Sequence, residues 1–235
     1  MAAITPPSGP SLVFDGSQPI KAVIFDMDGL LLDTETLSFD SFVATAQRYD
    51  LQVDISHYRQ MIGMNAASGI DILRRLLPAG LDAVVFKDEW LAVYRELLVA
   101  GVDVKAGAFD MLHHLQATGI RRAVATSSAG HKARTILADV GLLPLFDHVT
   151  GGDEVKAGKP APDVYLDAAR KLGIAPADCL ALEDSENGVN AALAAGMTVI
   201  QIPDLAPAAR PAAPPHFHLA TCLADVTAKM TPGRR

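Results

Sequence analysis

The run Lys21-Ala22-Val23-Ile24-Phe25 is short and apolar, and it ends in two carboxylates, Asp26 and Asp28, followed by Gly29. A run of this length closed by a glycine turn fits a buried strand. Further runs of this kind are Arg122–Thr126, Cys179–Leu182 and Thr198–Gln201, with a shorter one at Asp147–Thr150. Between them lie helical patterns at about 108–118, 129–139, 161–172 and 186–195. Strands that alternate with helices predict a parallel sheet covered on both faces. Ligands of such sheets bind beyond the carboxyl ends of the strands.

Residues 34–100 interrupt the alternation with amphipathic stretches such as Gly69–Leu77 and Val85–Ala100, and no convincing strand. The expected fold class is therefore α/β: a Rossmann-like, doubly wound parallel sheet with a small inserted α-helical cap domain. Its core would comprise residues 19–33 and 101–235, its cap 34–100, and residues 1–18, with Pro, Gly and Ser, a flexible arm. The Pro-rich segment Pro203–Pro215 reads as a surface loop before a last strand and helix.

Composition narrows the function. The chain has 235 residues, half of them hydrophobic, and a net charge of −7. That is enough for a sizeable core and carries no basic stripe for nucleic acid. Cys179 and Cys222 are too few for a disulfide framework or a zinc site. No apolar stretch reaches the about 18 residues of a membrane helix, and the opening residues lack a signal-peptide pattern. A cytoplasmic protein, monomeric or a small homo-oligomer, is expected, with neither nucleic acid nor membrane as partner.

Four segments would converge at the strand ends. Asp26 and Asp28 are paired acids that hold a divalent metal, divide nucleophile and acid/base roles, or do both. Thr126-Ser127-Ser128 runs from a strand into a helix, whose free N–H groups and hydroxyls suit a phosphate. Lys159 stands between Gly158 and Pro160, and Glu183-Asp184-Ser185 places acids at another strand's end. A solvated acidic turn, a helix cap at Thr126 or a surface lysine would each account for one segment alone. His216-Phe217-His218 has no third ligand nearby, and Trp90 reads as core of the insert.

This ordered set resembles the haloacid-dehalogenase superfamily, mostly Mg²⁺-dependent phosphotransferases, over about residues 21–203. The stretches Asp26-Met27-Asp28-Gly29-Leu30-Leu31-Leu32-Asp33-Thr34-Glu35 and Asn187-Gly188-Val189-Asn190-Ala191-Ala192 are most similar to one group. It contains β-phosphoglucomutase, sugar-phosphate phosphatases and pseudouridine-5′-phosphate phosphatase. The resemblance implies Asp26 as nucleophile, forming an aspartyl-phosphate, and Asp28 as general acid/base. It implies Mg²⁺ on Asp26, Asp28 and Asp184, with Glu183 in the outer shell. Met27, Asp28, Thr126, Ser127 and Lys159 would hold the phosphate, and Asn65 would touch the leaving group. Within the group, Ser38 and Ala66 stand where the mutases carry a histidine and an arginine. A phosphatase of a small phosphorylated metabolite, a sugar phosphate or nucleoside monophosphate, is thus expected over a phosphomutase. A binding or regulatory protein that has lost activity is the remaining alternative.

Overall fold

The computed structural model describes residues 11–14, 19–62, 66–208 and 216–232. Its strands are β1 (Leu12–Phe14), β2 (Ala22–Phe25), β3 (Arg121–Ala125), β4 (His148–Thr150), β5 (Cys179–Glu183), β6 (Thr198–Gln201), β7 (Phe217–Leu219) and β8 (Met230–Pro232). Six of them form one sheet in the order β4-β3-β2-β5-β6-β7, with every neighbouring pair parallel. The chain steps outward from β2 through β3 to β4, then returns to lay β5 on the other side of β2. That reversal opens a crevice at the carboxyl ends of β2 and β5.

The sheet is buried on both faces because successive side chains of β2 point opposite ways. Val23 and Phe25 pack with α5 (Ala108–Ala117), α6 (Gly130–Asp139) and α9 (Leu223–Lys229). Ala22 and Ile24 pack with α7 (Asp163–Leu172) and α8 (Glu186–Ala194). Phe25 is 0% exposed, and full burial of such a side chain contributes roughly 1.5–3 kcal/mol.

Between β2 and α5 the chain forms α1 (Thr34–Gln47), α2 (Ile55–Arg59), α3 (Ala66–Leu76) and α4 (Ala83–Ala100). These helices have a hydrophobic cluster of their own, around Phe42, Tyr58, Leu73 and Phe86. Trp90 packs edge-on against Phe42 and donates its indole N–H to the Ser38 carbonyl at 3.0 Å. The two passages between insert and sheet are joined: Asp33 N–H donates to Asp103 O and Lys105 N–H to Leu31 O, each at 2.9 Å. No helix among the described residues is long and apolar enough to cross a membrane.

One expectation is corrected. Residues 12–14, placed in a flexible arm, form β1, which pairs antiparallel with β8. Leu12 is 1% and Phe14 2% exposed, in the same cluster as Phe25. Apolar side chains spaced two apart gain more from that burial than from solvent.

Candidate active site

Phe25 is in register with Val124 and Leu182, so the residues that follow these strands emerge side by side. Asp26 extends the ladder, its N–H donating to Leu182 O at 2.9 Å. Gly29 then turns the chain with φ +82°, and a Cβ there would lie 2.5 Å from Asp184 Oδ2. Both the conformation and the close approach require glycine. The turn is fastened by Gly29 N–H donating to Thr34 Oγ1 at 3.0 Å.

Lys159 crosses the crevice from the loop before α7. Its ammonium donates to Asp26 Oδ1 and to Glu183 Oε1, the latter at 2.6 Å, with its side chain 5% exposed. Glu183 is 0% exposed, and its carboxylate also receives the Tyr165 hydroxyl at 2.6 Å and the Ser185 hydroxyl at 3.1 Å. Asp28 accepts from Ser128 Oγ at 2.9 Å and Thr126 Oγ1 at 3.3 Å. Thr126 Oγ1 in turn accepts from Ser128 N–H at 3.0 Å.

These acids outnumber their cation. Burial pushes the carboxyls of Asp26, Asp28 and Asp184 above the usual range; the charges of Glu183 and Asp28 raise Asp26 further, and those of Asp26 and Glu183 raise Asp184 further. Burial works against the Lys159 ammonium, but Asp26 and Glu183 outweigh it and hold it above its ordinary value. Oxygens of Asp26, Glu183 and Asp184 lie within 4.8 Å of one another. Glu183 is already engaged by donors from three residues, Lys159, Tyr165 and Ser185, so Asp26 and Asp184 are the carboxylates best placed to face a further cation. A small oxygen-seeking divalent ion fits that donor set and would offset the surplus negative charge.

A cavity of about 280 Å³ opens on this cluster, lined by Asp26, Asp28, Ser127, Lys159 and Asp184 among others. The residues singled out in the sequence are therefore gathered here, with distinctions among them. Ser127 is exposed and faces the cavity, whereas Thr126 is 0% exposed and turned onto Asp28. Met27 is fully buried. Asn65 lies outside the described residues. Tyr165 was not foreseen; on the inner face of α7 it reads as a core aromatic, and only its hydroxyl hints that a polar partner is needed. Glu35 also lines the cavity, its carboxylate receiving the Tyr58 hydroxyl at 2.8 Å.

The family model for haloacid dehalogenase-like hydrolases matches residues 20–196. The chain belongs to this family. The hydrolase is 34% identical over 182 residues to a phosphorylated carbohydrates phosphatase of Thermotoga maritima, covering 76% of this chain and 82% of the relative. It is 35% identical over 190 residues to a probable pseudouridine-5′-phosphatase of Drosophila melanogaster, covering 77% and 80%. In structure it is similar to a family hydrolase from Deinococcus radiodurans with bound phosphate and sodium. The TM-score is 0.75 at 26% identity, over 92% of this chain and 100% of that one.

Proposed function

We propose that this hydrolase is a Mg²⁺-dependent phosphatase of small phosphorylated metabolites, a sugar phosphate or nucleoside monophosphate, acting through an aspartyl-phosphate on Asp26. The observation that carries the reading is the convergence on one cavity of Asp26, Asp28, Lys159 and Asp184. The similar phosphatases make the same chemistry the natural reading of these residues.

Lys159 and the cavity-facing Ser127 hold the phosphate oxygens, and stabilising charge on them is most of what phosphoryl-transfer catalysts do. An Asp26 oxygen bonds to phosphorus as the bond to the leaving alcohol breaks. Asp28, held by Ser128 and Thr126, gives its proton to the departing oxygen. It then takes a proton from the water that cleaves the aspartyl-phosphate, which restores Asp26 and releases phosphate. Acid/base assistance of this kind is worth roughly 10²–10⁴-fold. Mg²⁺, held by Asp26, Asp184 and the Asp28 main-chain carbonyl, would neutralise charge on the transferring group. Helices α1 to α4 serve as a cap that excludes bulk water.

Among the described residues lining the cavity, Lys159 is the sole lysine or arginine. A phosphomutase must hold a second phosphate, and the described residues of the lining supply no other cation for it. Phosphate release from p-nitrophenyl phosphate and a panel of sugar phosphates, with Mg²⁺ or with EDTA, tests the proposal. Release that needs Mg²⁺ and is abolished in a folded Asp26→Asn variant is expected. Turnover unaffected by EDTA, or retained by that variant, would overturn it.

A further inference from the structure

Beside the catalytic cavity lies a second chamber of about 310 Å³ that shares Glu35, Ile62 and Asp184 with it. We propose that this chamber receives the leaving alcohol and selects a neutral, hydroxyl-bearing one, so that sugar or polyol monophosphates are accepted and bisphosphates rejected. The proposal rests on the phosphatase reading above and adds to it the chemistry of the leaving group.

Two residues that line the chamber, Gln201 and Asp204, carry acceptors without donors among the described residues. Gln201 is 1% exposed, and its Nε2 donates to Asp184 O at 3.0 Å. That carbonyl can only accept, which fixes the amide's orientation and makes the other atom, Oε1, an acceptor. Gln201 Oε1 and Asp204 Oδ2 are both buried, with no hydrogen-bond partner among the described residues. Buried acceptors in this state cost stability until a donor reaches them. A ligand rich in hydroxyl groups supplies such donors; a phosphate dianion supplies none.

Charge points the same way. Glu35, Glu186 and Asp204 line the chamber, and no lysine or arginine does among the described residues. The nearby Lys105 is engaged by Asp204 at 2.7 Å and Asp33 at 2.8 Å. Arg59 sits outside the lining, its Nε donating to Leu205 O at 2.7 Å, where it ties α2 to the loop that closes the chamber. A second phosphate would face like charges with no counterion among the described residues that line the chamber, a juxtaposition that disfavours it. The volume is at the small end of ligand pockets, suited to one sugar or polyol.

The experiment compares kcat/KM for fructose 1-phosphate with that for fructose 1,6-bisphosphate, Mg²⁺ present, with p-nitrophenyl phosphate as the reference ester. The monophosphate should be favoured by about 100-fold or more. Glu35→Gln and Asp204→Asn should each narrow that ratio, and Gln201→Met should lower kcat/KM for the monophosphate about tenfold relative to p-nitrophenyl phosphate. Inhibition of wild-type p-nitrophenyl phosphate hydrolysis by each ester gives a reading that needs no variant, with the bisphosphate the weaker inhibitor. Equal turnover or equal inhibition by the two sugar esters sinks the selectivity while leaving the phosphatase standing. Absence of turnover on all three esters, with neither sugar ester binding, removes both.

Discussion

Tyr165 and Lys159 share one acceptor: the phenol and the ammonium each donate to Glu183 Oε1 at 2.6 Å. The Lys159 Nζ also lies 5.1 Å from the centre of the Tyr165 ring, a cation–π distance. Tyr165 is wholly buried on α7 and does not line the cavity, so it acts on the site through Glu183 and Lys159. It is a positioning residue for the ammonium that bridges to Asp26.

Replacing Tyr165 with Phe keeps the ring and removes one hydrogen bond to a charged acceptor. Such bonds contribute roughly 1.5–3 kcal/mol. The expected outcome is a kcat lowered about tenfold with KM nearly unchanged, because the groups at the cavity surface remain. Steady-state kinetics beside a thermal melt checks this. A variant that melts lower but turns over at the wild-type rate would reduce Tyr165 to packing.

Two glycines should respond in opposite ways to alanine. At Gly188, on α8, a Cβ would sit 1.8 Å from Glu183 Oε1, so the carboxylate must leave its donors. Disrupting a buried ionic network of this kind costs roughly 3–5 kcal/mol. Gly69, within α3, has nothing among the described residues within 4 Å of its would-be Cβ. There alanine should stabilise by about 0.5–1 kcal/mol through helix propensity alone. Urea denaturation of Gly188→Ala and Gly69→Ala checks both signs.

The sheet was legible in sequence because its strands are buried on both faces and read as unbroken apolar runs. The acids and hydroxyls at the ends of those runs were legible for the complementary reason: core packing does not explain them. The β1–β8 pair was not legible, since Leu12-Val13-Phe14 is too short to show a period and its partner is Met230–Pro232, at the far end of the chain. Gln201 was missed because it ends an apolar strand and Tyr165 because it reads as a core aromatic of α7; only the fold reveals what their polar atoms meet. The chamber, likewise, exists only once Glu35 meets the distant stretch that carries Gln201 and Asp204.

Helix α2 is five residues long and depends on its cap for definition. Asp54 Oδ1 accepts from Ser56 N–H at 2.8 Å and His57 N–H at 3.2 Å, with the Ser56 hydroxyl at 2.6 Å. These bonds hold the Asp54 carboxyl down at about 2, below its ordinary 3.8. A carboxyl depressed on folding contributes stability that is present above the unfolded value and lost as pH falls through the folded one. Protection of the Ser56 and His57 amides against hydrogen exchange should therefore be complete above about pH 4 and fade toward pH 2. Asp54→Ala should remove that dependence and raise KM, since α2 carries Tyr58 against Glu35 and Arg59 against Leu205. Amide exchange that is indifferent to pH over this range would show that the cap does not hold the helix.

Lys105 joins the return passage of the insert to both Asp33 and Asp204. Burial tends to raise the Asp33 carboxyl, yet its bonds from Lys105 and Thr36 hold it below the usual range. Asp204 has a side chain only 12% exposed against 32% for Asp33, and there burial wins and pushes the carboxyl up. One ammonium thus serves two acids that differ in how much solvent they keep. Lys105→Met leaves those acids facing each other without it, a loss of roughly 1–3 kcal/mol, between the values for exposed and buried pairs. Limited proteolysis should then cut faster near residues 99–105, because the clasp between the two passages loosens. Adding Asp204→Asn to Lys105→Met removes half of the uncompensated charge and should return part of the lost stability, a non-additivity expected of groups in one network. Strictly additive effects in that double-mutant cycle would mean that Lys105 and Asp204 are neighbours without being coupled.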